Sequence, residues 1–430
     1  MSELRGTSSA SRWLIVAAWA GVAVLTAILL ITKYSAAIAA DPTDGSLEIF
    51  IEAARLEASG GDPYDAAALG GSYLTGSYTY SPLVAWALMP FLQLGLFGQI
   101  WTAFCLLCGV VAVAAVTATL WPRLTPWGRV LVAAVGIVTL DYNEVVNWEL
   151  LDGQSQLPVL ATTALAVFFA ARTPAVSGVM LALGALVKTW PAMFGLWILR
   201  AHNPNRRKEL LGAIGTAVVF VGIMILVDGP NSIAEWVQRT LDLREQPLQI
   251  YSVWFFEREL FAGSADPVAA DAAPLAGRIV SWTLAVIVLA LLVLALRRPG
   301  EPGLAMWNVV AATLLLLPVS HHFYQLILLP ILWHWLGIAL AERRKPDSWA
   351  LVGLMALWWL VAFRFGNDGD PLVSSFVIVT LTVLVYAASV LLAARRDPLG
   401  LRLRRRPVEG PAATASADEA VTAAHPIGVE

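Results

Sequence analysis

Runs of about 20 apolar residues recur along this chain from near its start to about residue 394, and no other feature constrains the fold as strongly. A run of that length is what a helix needs to cross the roughly 30 Å hydrocarbon core of a bilayer. A backbone inside that core must satisfy its own polar groups, so helices are the expected form. Composition agrees: 58% of residues are hydrophobic and only 14% charged, with mean hydropathy +0.70, where a soluble domain carries about a quarter charged residues. The 18 Trp suit a chain with membrane interfaces, where an apolar ring keeps its N–H wet. A net charge of −3 gives no sign of a nucleic-acid partner. Cys105 and Cys108 form a C-x-x-C, but they lie in the apolar stretch 101–120 with no second ligand pair, and read as small helix residues.

The first apolar run, Trp13 to about Ile31 after Arg5 and Arg12, reads as a retained helix rather than a cleaved leader. Further candidates are roughly 82–97, 99–120, 127–142, 155–172, 176–199, 210–227, 277–296, 304–319, 323–341, 349–363 and 372–394, giving an all-α polytopic protein of about twelve transmembrane helices. Orientation follows from Lys and Arg in short loops. Placing Arg206-Arg207-Lys208, Arg297-Arg298, Arg343-Arg344-Lys345 and Arg395-Arg396 inside puts residues 228–276, the Ser320-His321-His322 turn and 364–371, with Asp368 and Asp370, outside. The acidic first loop, about 33–81, also falls outside, and both termini fall in the cytoplasm. The scheme strains over 98–175, where Arg123 and Arg129 land outside and the polar stretch 143–154 inside; one segment there is expected to be re-entrant or short. Residues 1–395 read as one integral membrane domain. Residues 396–430 read as a basic start (Arg402 to Arg406) and then a disordered cytoplasmic tail. No internal repeat argues for the inverted symmetry of many transporters.

The two long outer loops, about 33–81 and 228–276, stand out because long loops in compact proteins are usually functional. In the first, residues 46–58 make an amphipathic helix with Leu47, Phe50, Ile51 and Ala54 on one stripe, expected to lie along the interface. Asp44 sits near its N-cap, where it serves either as a cap or as a general base. Ser81-Pro82, after Tyr78 and Tyr80, is by itself a helix start. The stretch Asp141 to Gln154, with Asn143, Glu144, Asn147, Glu149 and Asp152, is either a solvated turn or a set of partners for sugar hydroxyls. Lys188 lies near the middle of an apolar segment, and an ionisable group at that depth normally faces a polar cavity. His321-His322 point about 100° apart on a helix, so both rarely bind one metal. One of them can bond a phosphate or carry a proton, or the pair simply wets a helix end. No metal-ligand spacing and no cofactor motif is present. Arg258 offers the planar fork that matches phosphate oxygens, unless Glu257 takes it.

In order along the chain these pieces resemble the membrane glycosyltransferases of family 87, which include polyprenyl-phosphate-mannose-dependent α-mannosyltransferases of actinobacteria. The matching marks are the acidic first loop, Gly61-Asp62-Pro63-Tyr64-Asp65, Tyr80-Ser81-Pro82 with Pro90, Gly153-Gln154, Lys188-Thr189-Trp190-Pro191, Ser252 with Arg258, and His321-His322-Phe323-Tyr324, over roughly residues 41–330. The resemblance implies a C-type glycosyltransferase fold whose active site lies at the outer face of the plasma membrane. It also implies a polyprenyl-phosphate sugar donor, a glycolipid or polysaccharide acceptor, and an inverting reaction that needs no nucleotide. It carries the catalytic base to the first outer loop, by position to Asp44, with Asp41 and Glu48 as rivals. The chain departs from the pattern here, because relatives are expected to hold the Asp nearer to Ala53-Ala54, where this chain has Ser46. The implied roles are Arg258, His321, His322 and Lys188 at the donor phosphate, and Asn143, Glu144, Gln154 and Tyr80 at sugar or acceptor. The donor sugar stays open among mannose, arabinofuranose and glucose. A transporter or flippase of a lipid-linked solute is the competing class; it explains Lys188 and 141–154 equally well, but not two long outer loops.

Overall fold

The computed structural model describes residues 9–39, 46–64, 78–242, 250–260, 275–298, 301–342, 345–365 and 371–396. Among these the regular structure is helical, with no strand. Asp41, Asp44, Asp65, Arg343, Arg344, Asp368, Asp370 and the tail from residue 397 lie outside the described residues.

Among the described residues, seven helices are long and apolar enough to cross a membrane: Ala10–Ala39, Phe97–Arg123, Arg206–Asp228, Leu275–Arg297, His322–Glu342, Pro346–Phe363 and Leu372–Arg395. The bent pair Pro126–Asp141 and Glu144–Leu151, turned by 58°, makes an eighth if it counts as one span. The expected twelve included segments that form shorter helices: Pro82–Leu92, Gln156–Ala170, Pro174–Val187, Trp190–Leu199 and Pro302–Leu316. A 15-residue helix is about 22 Å long, short of the bilayer core. Burial separates centre from rim. The 18-residue window of His322–Glu342 is 89% buried, whereas those of Ala10–Ala39 and Arg206–Asp228 are 6% buried.

The elements are α1 (Ser9–Ala39), α2 (Ser46–Ala58), α3 (Pro82–Leu92), α4 (Phe97–Leu120), α5 (Pro126–Asp141), α6 (Glu144–Leu151), α7 (Gln156–Ala170) and α8 (Pro174–Val187). After a 3-10 segment, Trp190–Leu199, come α9 (Arg206–Asp228), α10 (Pro230–Asp242), a π-helical turn Phe256–Leu260, α11 (Leu275–Arg297) and α12 (Pro302–Leu316). A 3-10 turn, His322–Leu328, leads into α13 (Leu329–Glu342), followed by α14 (Pro346–Trp359) and α15 (Pro371–Arg395).

Contacts sort the helix ends into two groups. Arg396 pairs with Glu342 at 3.0 Å and bonds Ser348, joining the end of α15 to the end of α13 and the start of α14. The Ala201 N–H donates to Leu296 O at 2.7 Å, Trp197 Nε1 to Pro302 O at 2.8 Å and Asn205 Nδ2 to Ala170 O at 3.1 Å. Arg123 pairs with Glu301 at 2.9 Å. These contacts define a basic end. At the opposite, acidic end, Lys33 Nζ donates to Asn147 Oδ1 at 2.6 Å, Trp101 Nε1 to Gly153 O at 2.9 Å and Tyr251 N to Ser320 O at 2.7 Å.

This sorting removes the strain over 98–175 and gives its cause. Two segments expected to cross do not. Residues 82–97 break at Leu92, and α3 stays beside α2 through the Trp86 Nε1 bond to Glu57. Residues 176–199 form a hairpin instead of one span. α8 rises from the basic end, the chain goes extended at Lys188 (φ −136, ψ 140), and the 3-10 segment returns to Ala201. The break follows from Pro191, which has no N–H to donate to Val187 O and whose ring crowds that carbonyl. Dropping one crossing before 98 and one after 175 puts Arg123 and Arg129 at the basic end and residues 143–154 at the acidic end. The structure also turns the stripe of α2 onto protein. Leu47, Phe50, Ile51 and Ala54 are buried, with the Phe50 ring 4.4 Å from Tyr80 and 5.4 Å from Trp101.

Candidate functional site

The tip of the α8 hairpin positions the main cluster. α8 has 14 residues, so Lys188 stands about 20 Å from the basic end. Four neighbouring pieces converge there: the loop 152–155 between α6 and α7, the residues before α3, the tip itself, and the 321–324 turn. Ser81 Oγ donates to Leu186 O at 2.6 Å and fixes the start of α3 against the tip. Gly153 holds the loop in the left-handed region (φ +63), and a Cβ there would run into the Leu47 side chain of α2.

Lys188 is 6% exposed. Its Nζ donates to Gln154 Oε1 at 3.4 Å and lies 4.7 Å from the Tyr324 ring centroid and 5.3 Å from that of Tyr80. Aromatic faces attract a cation at this range. Gln154 Oε1 also accepts from Tyr80 Oη at 3.2 Å. Trp190 stacks on Tyr324 at 5.2 Å, and His321 stands edge-on to Tyr324 at 5.1 Å. Burial, then the charge of Lys188, pulls His321 down to a pKa of about 4, so its imidazole is neutral near pH 7.

Glu149, on α6, is fully buried. Its Oε1 accepts the backbone N–H groups of Gln156 and of Leu157, the latter at 3.1 Å. These are among the free donors at the start of α7, which favours an anion there. Glu149 Oε2, both ends of the Gln156 amide and Trp190 Nε1 have no hydrogen-bond partner among the described residues. Glu149 and Lys188 interact electrostatically, yet no contact of 4.0 Å or less joins them.

Of the expected site residues, the structure brings together Tyr80, Gln154, Lys188 and His321. Arg258 and His322 stand on an adjoining wall. Arg258 donates to Pro318 O at 3.2 Å, while Glu257 pairs with Arg278 at 3.4 Å. His322 stacks on Tyr251 at 5.0 Å, with Nε2 donating to Ala362 O at 2.5 Å. Asn143 Oδ1 caps α6, accepting from Val145 N at 2.9 Å and Val146 N at 3.2 Å. Glu144 accepts from Asn147 Nδ2 at 2.9 Å. Glu48 lies on the exposed face of α2. Sequence reasoning passed over Glu149, although Lys188 gave the signal: a buried cation needs a counter-charge, and 141–154 was the nearest acidic stretch available.

A second polar region opens at the same end. A cleft of about 480 Å³ is lined by Glu57, Asp62, Asp228, Asn231, Ser232 and Glu235 among others. α10 closes one side of it, with Trp236 Nε1 donating to Thr79 O at 3.2 Å and Arg239 Nη2 to Tyr64 O at 2.9 Å. Glu235 has its pKa raised by desolvation, then by the charge of Asp62 and a hydrogen bond to it, against the pull of Arg239. Among the described residues no group of three His, Cys, Asp or Glu is placed to hold a metal.

An all-helical membrane protein with a charged, enclosed site at a helix break is the class these features define. The chain belongs to glycosyltransferase family 87, whose model matches residues 78–320. It is also similar to the polyprenol-phosphate-mannose-dependent alpha-(1-2)-phosphatidylinositol mannoside mannosyltransferase of Mycolicibacterium smegmatis, with 29% identity over 290 residues covering 62% of this chain. The match spans 63% of the length of that curated relative.

Proposed function

We propose that this chain transfers a mannosyl residue from a polyprenyl-phosphate donor to a hydroxyl of a glycolipid or polysaccharide acceptor, at the outer face of the plasma membrane. The observation that carries the reading is the Lys188 ammonium, enclosed by Tyr80, Tyr324 and Gln154 and held, among the described residues, by a single long hydrogen bond. A buried cation with donors to spare suits a phosphate, whose negative charge grows as the glycosidic bond breaks. Preorganised stabilisation of such charge is commonly the largest catalytic contribution. The mycobacterial relative's name supplies the donor class and the sugar. Membership of the family and the positive-inside rule together favour an outward site: the basic helix ends lie opposite Lys188, and short basic loops stay in the cytoplasm.

In this reading an acid of the first outer loop removes the proton of the acceptor hydroxyl. Asp44 is the first candidate, with Asp41 and Glu48 as rivals. The hydroxyl oxygen attacks the anomeric carbon opposite the departing phosphate, the C–O bond to that phosphate breaks, and configuration inverts. Lys188 offsets charge on the leaving phosphate, with Arg258 and the histidines beside it. Neutral His321 contributes by hydrogen bonding rather than by charge. Gln154 and Tyr80 orient the sugar, with Asn143 and Glu144 as further candidates for sugar or acceptor hydroxyls.

The test uses membranes expressing the full chain, radiolabelled polyprenyl-phosphate-mannose and a phosphatidylinositol mannoside acceptor. Transfer that disappears in Asp44→Asn at equal expression supports the reading. Full activity in that variant removes Asp44 as base. No transfer from polyprenyl-phosphate mannose, arabinofuranose or glucose, with label moved across the membrane instead, replaces the enzyme with a transporter.

A further inference from the structure

We propose that Glu149 is a positioning residue: a counter-charge fixed at the start of α7 that keeps Lys188 ionised without bonding it, so that the ammonium stays open to the donor phosphate. This rests on the reading that Lys188 meets that phosphate.

Both side chains are buried, Glu149 at 0% and Lys188 at 6% exposure, and an uncompensated charge in such a place is strongly disfavoured. The usual remedy is a direct salt bridge, but here the two are not within 4.0 Å. Glu149 Oε1 is already committed to the N–H groups of Gln156 and Leu157, so the carboxylate cannot swing to Lys188 without uncapping α7. Lys188 in turn reaches Gln154, whose own N–H donates to Glu149 O at 2.9 Å. The geometry supplies a negative field and withholds the bond. A direct bridge would compete with an incoming phosphate, whereas a field at a distance does not. Among the described residues, the other groups facing Lys188 are neutral: Tyr80, Tyr324 and His321 from their three segments. Asp152, one turn beyond Glu149, adds to the negative field there.

Glu149→Gln tests charge alone, because its amide oxygen still accepts from the α7 N–H groups. Binding of undecaprenyl phosphate to the full chain in nanodiscs, with undecaprenol as the uncharged control, is measured from pH 6 to pH 9. Wild type and Glu149→Gln are expected to bind alike at pH 6. At pH 8 the variant falls at least tenfold, its unfolding midpoint staying within a few degrees of wild type. The double variant Lys188→Arg/Glu149→Gln regains pH-independent binding, since a guanidinium stays charged without help. A Glu149→Gln profile like that of wild type, or a loss equal at every pH, overturns the proposal and leaves Glu149 a helix cap. Unchanged undecaprenyl phosphate binding in Lys188→Met instead overturns the placement of Lys188 at the phosphate, and does so whatever Glu149 does.

Discussion

The Lys188 site and the cleft beside α10 lie at the same end of the bundle and are linked by the Thr189–Thr240 hydroxyl contact at 3.3 Å, yet they treat charge differently. Around Lys188 the charges are few, buried and held by fixed partners: Glu149 by the α7 N-terminus, Lys188 by Gln154 and the faces of Tyr80, Phe323 and Tyr324. Around the cleft the charges are mostly of one sign, with Asp62 and Glu235 exposed and Glu57 and Asp228 half-buried. Glu57, Asp62, Asp228 and Glu235 crowd together, and Glu235 is raised partly because Asp62 stands next to it. Water and salt weaken fields in the cleft; enclosure strengthens them at Lys188. A charge inside a dry, preorganised shell has far more influence on a reacting phosphate than an equal charge on a wet wall, so the two regions should respond unequally to the same kind of substitution.

The largest effect is expected from Lys188→Met, with transfer falling on the order of a hundredfold, about 2.7 kcal/mol in the barrier. Lys188→Arg should retain a measurable part of the activity. Initial rates of labelled mannose transfer at matched expression measure both; a loss under about threefold in the Met variant would move the chemistry away from this site. Gly153→Ala comes next. It forces a side chain into the left-handed region and against Leu47, a backbone cost of about 1–3 kcal/mol. Activity should drop roughly tenfold, with a lower unfolding midpoint in detergent, and unchanged values of both would show that α2 and the 152–155 loop give way freely.

How much of this the sequence shows depends on the kind of feature. Apolar length marks the helices well, and the α2 helix appears with its expected bounds, because periodicity and hydropathy are local. Which face of α2 meets protein is not local: the stripe of Leu47, Phe50, Ile51 and Ala54 serves a lipid interface or a bed of Tyr78, Tyr80 and Trp101 equally well. Crossing number fails for the same reason. Residues 176–199 are apolar throughout apart from Ser177, Lys188 and Thr189, and only the break before Pro191 and the return to Leu296 show that they turn back. At the site, Lys188 stands out against its apolar flanks, and Gln154 and Tyr80 emerge from family order. Glu149 does not, because seven acidic or amide side chains crowd 141–154, and only three-dimensional packing separates the Asn143 cap from the buried carboxylate.

In the cleft, Asp62→Asn and Glu235→Gln should each change transfer by less than about threefold at physiological salt. A tenfold loss in either, in the same rate assay, would erase the contrast with Lys188 and place acceptor contacts in the cleft.

The smallest effect is expected beside both regions, in the segment 250–260 that docks on Ser320. The Ile250 N–H donates to Glu259 Oε1 at 2.6 Å. Burial pushes the Glu259 carboxyl from its ordinary 4.5 up to about 7, outweighing the opposing effects of that N–H and of Arg258. A raised carboxyl pKa means that the docked segment holds a proton the free segment has lost. The stabilisation is therefore complete below about pH 4.5 and declines as pH rises to about 7, with nothing left to lose above that. Amide exchange of residues 250–260, corrected for the intrinsic pH dependence, should show weaker protection at pH 8 than at pH 5.5. Glu259→Gln still accepts from Ile250 and cannot ionise, so its protection should be level across that range. Equal pH dependence in both proteins would show that another group governs how this wall of the site closes.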